Sequence, residues 1–200
     1  MAVTTSFGVP VTGATGTLMP KLQYRYRVTF ENLGGNTEGP KVTRNVVSVT
    51  RPGFSHDDVT VDVYNSKIRL AGKHTWDDIT LVIRDDIDSE VVTLIGAQMA
   101  KQVNHSTQSA AVAGKNYKFG MKIDMLDGTN SEAGDTTVLD SWHLVGCFIP
   151  TIAYGDMNYA TSDVVQITAT IRYDNASHDI DGTDAMSEGG PVDTGGTVAT

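Results

Sequence analysis

Apolar and polar side chains alternate along much of this chain, and a period of two is typical of β-strands with one buried face. The clearest run is 22–30, where one side is shared by Leu22, Tyr24, Tyr26, Val28 and Phe30. Similar but less regular runs predict strands over 42–49, 59–63, 67–70, 79–84, 117–125, about 142–145 and 165–173. The sequence therefore predicts seven or eight strands.

Breaks between these runs indicate how the strands connect. Asn65 and Ser66 form a predicted turn, so 59–70 has the pattern of a β-hairpin, which Gly72 then interrupts. Pro150 is expected to end the strand around 142–145, because proline lacks the amide hydrogen that a ladder needs. The glycine- and asparagine-rich stretches 32–40 and 127–134 are typical of loops.

A single segment has the period of an α-helix. Val92, Ile95, Met99 and Val103 recur at steps of three and four residues, and Asp88 or Ser89 can cap the start. Parallel βαβ repetition is absent from the pattern. We therefore predict a mainly β fold, with two antiparallel sheets packed as a sandwich or partial barrel and one α-helix.

Composition divides the 200 residues into three parts. Residues 1–20 form a predicted extended arm without charge, and 21–176 hold all the predicted strands. Residues 177–200 contain five acids and no Lys or Arg, so they are expected to be a flexible acidic tail. The whole chain has a formal net charge of −9, which argues against a protein that grips nucleic acid by its phosphates.

Cysteine content and the first residues restrict the class of protein further. Cys147 is the single cysteine, so no intrachain disulfide or cysteine-based zinc cluster can form, and its apolar neighbours predict a buried thiol. No apolar run reaches the roughly 20 residues of a membrane span, and the first residues do not resemble a signal peptide. We expect a protein that stays in a cytoplasm-like compartment.

Candidate chemistry is sparse. His56-Asp57-Asp58 could bind a metal or act in acid–base catalysis, but adjacent side chains point apart. Asp179-x-Asp181-Gly182-x-Asp184 resembles part of a calcium loop, yet the distant glutamate of such a loop is missing. We therefore predict no enzyme activity, no catalytic or metal-binding residue and no cofactor.

The order of several short motifs resembles a known family. These motifs are Ala71-Gly72-Lys73-His74-Thr75-Trp76, Trp142-x-Leu144-x-Gly146-x-x-x-Pro150 and Ile167-x-Ala169-x-Ile171-x-Tyr173-Asp174. Together they resemble the tail tube protein of T4-like contractile phages and of related bacteriocins and injection machines, over roughly 18–174. Their order and spacing carry the resemblance, since no single motif is diagnostic.

The resemblance implies a structural subunit, located in the phage virion after assembly in the host cytoplasm. Six copies would form a ring, rings would stack, and their strands would join one β-barrel around a lumen for DNA ejection. Implied partners are further copies of the chain, the sheath, the tape-measure protein, the baseplate, the tail terminator and passing DNA. The inner tube of a type VI-like secretion machine and a soluble β-sandwich ligand-binding module remain alternatives, and an enzyme comes third.

Two groups of residues are candidates for this function. The segment 51–76 combines charges of both signs with aromatic rings, which suits contacts that set register between subunits. The predicted contact residues are Arg51, Asp57, Asp58, Tyr64, Lys67, Arg69, Lys73 and Trp76. The predicted lumen-lining residues lie on the polar faces of two strands and are Lys118, Lys122, Asp124, Gln166, Thr168 and Thr170.

Overall fold

The computed structural model of the chain describes residues 20–35, 39–128, 137–180 and 183–184. Its longer strands are β1 (Tyr26–Glu31), β2 (Val46–Val49), β3 (Phe54–Val63), β4 (Ser66–Trp76), β5 (Ile79–Arg84), β8 (Phe119–Leu126), β9 (Val138–Ala153), β10 (Gln166–Arg172) and β11 (Asn175–Ile180). Three two-residue strands are β6 (Val103–Asn104), β7 (Ser109–Ala110) and β12 (Thr183–Asp184). The helices are α1 (Gly39–Asn45) and α2 (Glu90–Gln102), with single 3-10 turns at Leu33–Gly35 and Gly114–Asn116.

Two antiparallel sheets share the long strand β9. We call β1, β8, the first half of β9 and β11 sheet A, and the second half of β9, β10, β5 and β2 sheet B. Gly146 has a φ of 72° at the point where β9 turns from one sheet to the other. The predicted mainly β architecture with one main helix is confirmed, and the described strands do not close into a barrel within one copy.

The core lies between the two sheets. Strands β1, β5, β8 and β10 contribute alternate residues to it, as the sequence pattern predicts. The largest fully buried apolar side chains are Ile79, Leu81, Ile83, Ile95, Ile123, Leu144, Ile167 and Ile171. Helix α2 packs on this core through Val91 and Ile95. Within the described residues, no helix is long and apolar enough to cross a membrane.

Helix α2 is fixed by a buried polar residue that the apolar period does not reveal. Gln98 is fully buried, accepts a hydrogen bond from the Gly34 amide at 3.0 Å and donates one to the Tyr117 carbonyl. The predicted caps are wrong, because the Asp86 carboxylate accepts the Glu90 amide hydrogen at 2.9 Å and Ser89 makes no side-chain cap bond. Burial of such a satisfied amide fixes how the helix sits on the sheets.

Two strands begin later in the structure than the sequence predicts. Residues 22–25 form a turn instead of the start of β1, and Tyr24 is 72% exposed. Residues 42–45 belong to α1 and not to a strand, although Val42 and Thr43 are β-branched. The signal that favours the helix is Pro40, because proline fits the first turn, where its missing amide hydrogen has no helical partner.

Two further predictions fail near the end of the chain. Strand β9 runs through Pro150 to Ala153, because its partner β10 has a register shift between Thr170 and Arg172, and a proline costs no ladder bond at such an irregularity. The sequence predicts a flexible tail from residue 177 onward, yet 177–180 belong to β11, which pairs with β9. His178 stacks on Trp142 with ring centroids 4.1 Å apart, which supplies packing that a polar segment ordinarily lacks.

The Cys147 thiol is buried, as predicted, and burial raises its pKa to about 12. Only the thiolate attacks disulfide reagents, so we expect the folded chain at pH 8 to react with a thiol-specific disulfide reagent about a thousandfold more slowly than the denatured chain. A colorimetric thiol assay with and without denaturant measures this ratio. Equal rates in the two states would contradict the buried position.

Candidate assembly surfaces

The hairpin of β3 and β4 projects from the two-sheet body and pairs with no other strand of the described chain. Every residue of β3 is exposed, and β4 is exposed except for Gly72 and Trp76, which are partly buried. Ten extended residues span about 33 Å. An isolated two-stranded hairpin is marginally stable in water, so this one needs a surface to lie against.

A bulge at Gly72 sorts the hairpin side chains onto two faces. The register shifts between His56 and Asp58, where two residues of β4 lie opposite one residue of β3. A Cβ atom at Gly72 would lie 3.0 Å from the Asp57 carbonyl oxygen, so the close strand approach favours glycine. Beyond the bulge, one face carries only Val59, Val61, Val63, Ser66, Ile68 and Leu70. We call the five apolar residues of this set the apolar hairpin face.

The opposite face of the same hairpin is charged. Arg69 donates to Asp58 at 3.0 Å, and the Lys67 ammonium lies 3.5 Å from the Asp62 carboxylate. These exposed pairs contribute little to stability, and opposite charges across a strand pair mainly favour one register. The hairpin is therefore amphipathic, and the valine and leucine side chains on the apolar hairpin face are 43–53% exposed.

Aromatic rings anchor the root of the hairpin to the body. Trp76 packs against the core and lies 5.5 Å from the Tyr173 ring and 5.4 Å from the Phe54 ring, between centroids. His56 and His74 face each other across the strands at 6.2 Å. Trp76 therefore packs within its own chain, whereas Tyr64 at the hairpin tip is fully exposed.

A bidentate ion pair ties the end of the hairpin to β10. The Arg172 guanidinium donates to both oxygens of Asp78, at 2.8 and 2.7 Å. This hydrogen bonding lowers the pKa of Asp78 below its ordinary value. Removal of this bond would free the segment between the hairpin and β5.

We expect the Asp78–Arg172 pair to stabilise the fold at neutral pH and to lose that effect in acid. The folded-state pKa of Asp78 is depressed, so its contribution is present above the ordinary pKa of about 3.9 and falls away as pH drops through the folded value. Both side chains are largely exposed to solvent, which screens their attraction and keeps the effect on stability small. Chemical denaturation should give different free energies of unfolding for Asp78→Asn and the unchanged chain at pH 7, and these should converge near pH 2. A difference that stays constant with pH would contradict a stabilising role of the Asp78 charge.

Sheet A ends in two rims. β1 pairs only with β8, and β11 pairs on its outer side only through Asp179 and Ile180, with β12, among the described residues. The remaining backbone groups of these rims have no strand partner in this part of the chain. Unpaired strand edges of this kind are templates for pairing with another chain.

The predicted lumen residues fall on two different sheets. Lys118 precedes β8, and Lys122 and Asp124 lie on the outer face of sheet A, whereas Gln166, Thr168 and Thr170 lie on the outer face of sheet B. The two outer faces point away from a common core, so one lumen cannot be lined by both groups. Asp124 is also only 1% exposed, between Arg27 at 3.0 Å and Lys122 at 3.2 Å, which does not suit a residue that lines a wall.

Three residues that sequence reasoning did not bring together meet on sheet A. The Nε2 atom of His143 lies 3.1 Å from the Ser141 hydroxyl oxygen and 3.2 Å from the Asp179 carboxylate. A serine hydrolase needs the carboxylate on one ring nitrogen and the serine on the other. Here both contacts use the same nitrogen, so this cluster cannot relay a proton from serine to histidine in that way.

Metal binding finds no support in the described residues, where no three His, Cys, Asp or Glu side chains gather in a way that could hold an ion. In the calcium-like segment 179–184, residues 181 and 182 lie outside the described part of the chain, and Asp179 and Asp184 are paired across β11 and β12. His56 and Asp58 sit on the exposed hairpin, where Asp58 is already paired with Arg69.

No protein-family model matches the chain, and a search of curated proteins finds no match. Solved structures do match. A chain of the anti-feeding prophage tube-terminating cap is 16% identical at a TM-score of 0.59, with 90% of this chain and 99% of that chain covered. A chain of an extracellular contractile injection system, the PVC sheath–tube complex in its extended state, is 16% identical at 0.60, with 84% and 99% covered.

A chain of the anti-feeding prophage baseplate is 13% identical at a TM-score of 0.60, with 81% of this chain and 97% of that chain covered. Likeness at this level of identity is a likeness of fold. The chain therefore has a fold found in the tube-terminating cap, the sheath–tube complex and the baseplate of contractile injection systems, and the resemblance inferred from the sequence motifs is confirmed as a resemblance of fold.

Proposed function

We propose that this chain is a structural subunit of the inner tube of a contractile injection machine, which assembles into six-membered rings. One observation carries the proposal: sheet A has an even number of alternating strands and ends in two largely unpaired rims. The directions of β1, β8, β9 and β11 alternate, so β11 of one copy and β1 of the next would again be antiparallel. The same step can repeat around a ring.

Such a contact is heterologous, because it joins two different surfaces of the same chain. Heterologous contacts close into a ring when the rotation between copies divides a full turn. Closure pairs both rims of every copy, which removes the aggregation hazard of open strand edges. A six-membered ring would contain a continuous sheet built from sheet A of every copy.

The exposed hairpin supplies the second contact of the proposal. Its apolar face gains free energy only if another surface covers it, and a second copy in the same or the next ring offers that surface. We propose the predicted set around it as contacts between subunits: Arg51, Asp57, Asp58, Tyr64, Lys67, Arg69 and Lys73. Trp76 packs within its own chain at the base of the hairpin, and this packing positions the hairpin for these contacts.

In this arrangement the outer face of sheet A lines the lumen. Lys118 and Lys122 are the wall residues of the predicted set, and Arg27, Glu31 and His143 join them. Gln166, Thr168 and Thr170 face outward on sheet B, towards a surrounding sheath. A wall with both signs of charge binds a passing polyanion weakly, which suits DNA passage in a phage tail.

The proposed setting is the contractile tail of a phage, with the sheath, terminator, baseplate and tape-measure protein as partners. Structures with this fold come from a tube cap, a sheath–tube complex and a baseplate, which supports the first three partners. A type VI-like tube that carries protein cargo would use the same ring geometry. Tubes isolated from producing cells separate the two settings, because DNA-filled particles attach only to the phage form.

Light scattering coupled to size-exclusion chromatography tests the ring. Concentrated protein should contain a species of about six times the 21.4 kDa chain mass, seen as rings or tubes in negative stain. Baseplate components should be added if the chain alone stays monomeric, because tubes of this kind can require nucleation. A monomer under both conditions would contradict the proposal.

A further inference from the structure

Tyr64 stands at the tip of the exposed hairpin in a backbone conformation that tyrosine disfavours. It is the first residue of the turn between β3 and β4, its φ is 46° and its side chain is fully exposed. A φ of this sign favours glycine, and a bulky residue there is strained. An exposed aromatic ring gives the single chain no burial in return. A tyrosine at this point therefore indicates a contact outside the single chain.

A groove of about 870 Å³ lies at the far end of sheet B from the hairpin. Loop 154–165, which joins β9 to β10, forms one wall, and Val47 of β2 and Arg84 of β5 form the other. The Val165 carbonyl accepts the Asp85 amide hydrogen at 3.0 Å, which fixes the end of the loop to the end of β5. The groove is therefore built between a loop and two strands of the body.

The lining of this groove suits a tyrosine side chain. Met157 and Val164 supply apolar surface, and the Arg84 guanidinium can lie over an aromatic ring. Asn158 and Asp163 carry oxygens that can accept the phenolic hydrogen. An apolar pocket with a few polar groups is typical of a site for an aromatic anchor.

The hairpin and the groove lie at opposite ends of β10. Arg172, at one end, pairs with Asp78 beside the hairpin root, and Gln166, at the other end, lines the groove. Seven extended residues separate these ends by about 20 Å. Two copies stacked along this direction can bring the hairpin tip of one to the groove of the other. Such a head-to-tail contact joins different surfaces, so it can repeat without closing and extend a stack.

Charge favours this head-to-tail order. Loop 154–165 contains two acids and the neighbouring stretch 85–90 contains four, with no Lys or Arg in either. Two copies that met through these ends would bring like charges together. The hairpin 54–76 contains three acids and three Lys or Arg residues, so its approach to the acidic end meets no such repulsion.

We propose that Tyr64 of one copy inserts into this groove of a copy in the adjacent ring. The inference rests on the proposed ring and names the contact that stacks one ring on the next. The ring leaves the groove open, because rim pairing uses β1 and β11 and no residue of either strand lines it. A tyrosine buried in a pocket of the partner is typical of the few residues that dominate the affinity of an interface.

Replacement of the tyrosine tests the stacking contact apart from the ring. Tyr64→Gly should be at least as stable as the unchanged chain, because glycine adopts this φ without strain. We expect it to form six-membered rings, while tubes in negative stain fall at least tenfold at equal concentration. Tyr64→Phe keeps the aromatic ring and is the matched control, which should form tubes within twofold of the unchanged chain. Undiminished tubes from Tyr64→Gly, or loss of its rings as well, would overturn the inference.

A cross-link identifies which copy receives the tip. Asn65 follows Tyr64 in the turn and Thr161 lines the groove, so Asn65→Cys and Thr161→Cys are combined in one chain and oxidised after assembly. Cys147 is buried and should not interfere. Links between rings run along the tube and should give ladders of more than six chains on a non-reducing gel, whereas links within one ring stop at six. A ladder that ends at six, or no link, would overturn the assignment to the adjacent ring, and absence of rings from the unchanged chain would refute the proposed function instead.

Discussion

Val61→Glu is expected to abolish ring and tube assembly while the free energy of unfolding of the single chain changes by less than about 0.5 kcal/mol. Val61 lies in the middle of the apolar hairpin face, opposite Ile68, and is already 43% exposed in one copy. A buried valine contributes about 1.5–3 kcal/mol at each contact, which corresponds to a ten- to hundredfold change in the dissociation constant. A charge buried in its place adds a further cost.

Thr60→Glu provides the matched control, because Thr60 is the next residue of β3 and lies on the opposite face, beside Arg69. Both variants gain the same charge on the same strand, and only one of them places it on the apolar hairpin face. Scattering mass and negative stain should show assembly for Thr60→Glu and none for Val61→Glu. Assembly by both variants would contradict the proposal that the apolar hairpin face lies in the interface between subunits.

Gly146→Ala should cause the largest loss of stability among the substitutions considered for the two-sheet body, about 2 kcal/mol or more. The glycine has a φ of 72°, which an alanine side chain disfavours. A Cβ atom there would also lie 2.8 Å from the Asp174 carboxyl carbon, so Asp174 would have to leave its contact with Lys118. The turn of β9 from sheet A to sheet B depends on this position.

Gly96→Ala is the paired control for that experiment. Gly96 lies inside α2, and a Cβ atom there meets nothing within 4 Å. Alanine favours helix over glycine by about 0.8–1 kcal/mol, so this variant should unfold at a higher denaturant concentration than the unchanged chain. If Gly146→Ala were as stable as Gly96→Ala, the strained turn in β9 would not have the role assigned to it.

Alternation identified the core strands because each of them buries one face. Ile167, Ala169 and Ile171 of β10 are all buried, and the same holds for Met121 and Ile123 of β8. Period-two reasoning needs only local sequence, so it succeeds wherever a strand lies over the core. The hairpin also followed its pattern, although its apolar face has no core beneath it within one copy.

Predictions failed where tertiary contacts overrode local preference. Pro150 continues a strand because the opposing β10 has a register shift there. Residues 175–180 form a strand because β9 offers an edge and Trp142 offers a stacking surface for His178. Neither partner is visible in the local sequence, since each lies far away along the chain.

The role of segment 51–76 in contacts between subunits stays a prediction. The sequence predicts its projecting hairpin, and residues 54–76 form one, but the division into an apolar and a charged face depends on the bulge at Gly72. The assignment of lumen residues mixed two sheets, because alternation tells which face is polar and not which way that face points.

Electron cryo-microscopy of the assembled chain tests the central claim most directly. The account predicts six-fold rings in which β11 of each copy pairs antiparallel with β1 of the next, and in which Lys122 and not Thr168 faces the lumen. Rings whose β1 and β11 rims both face solvent, or whose pore is lined by sheet B, would contradict it.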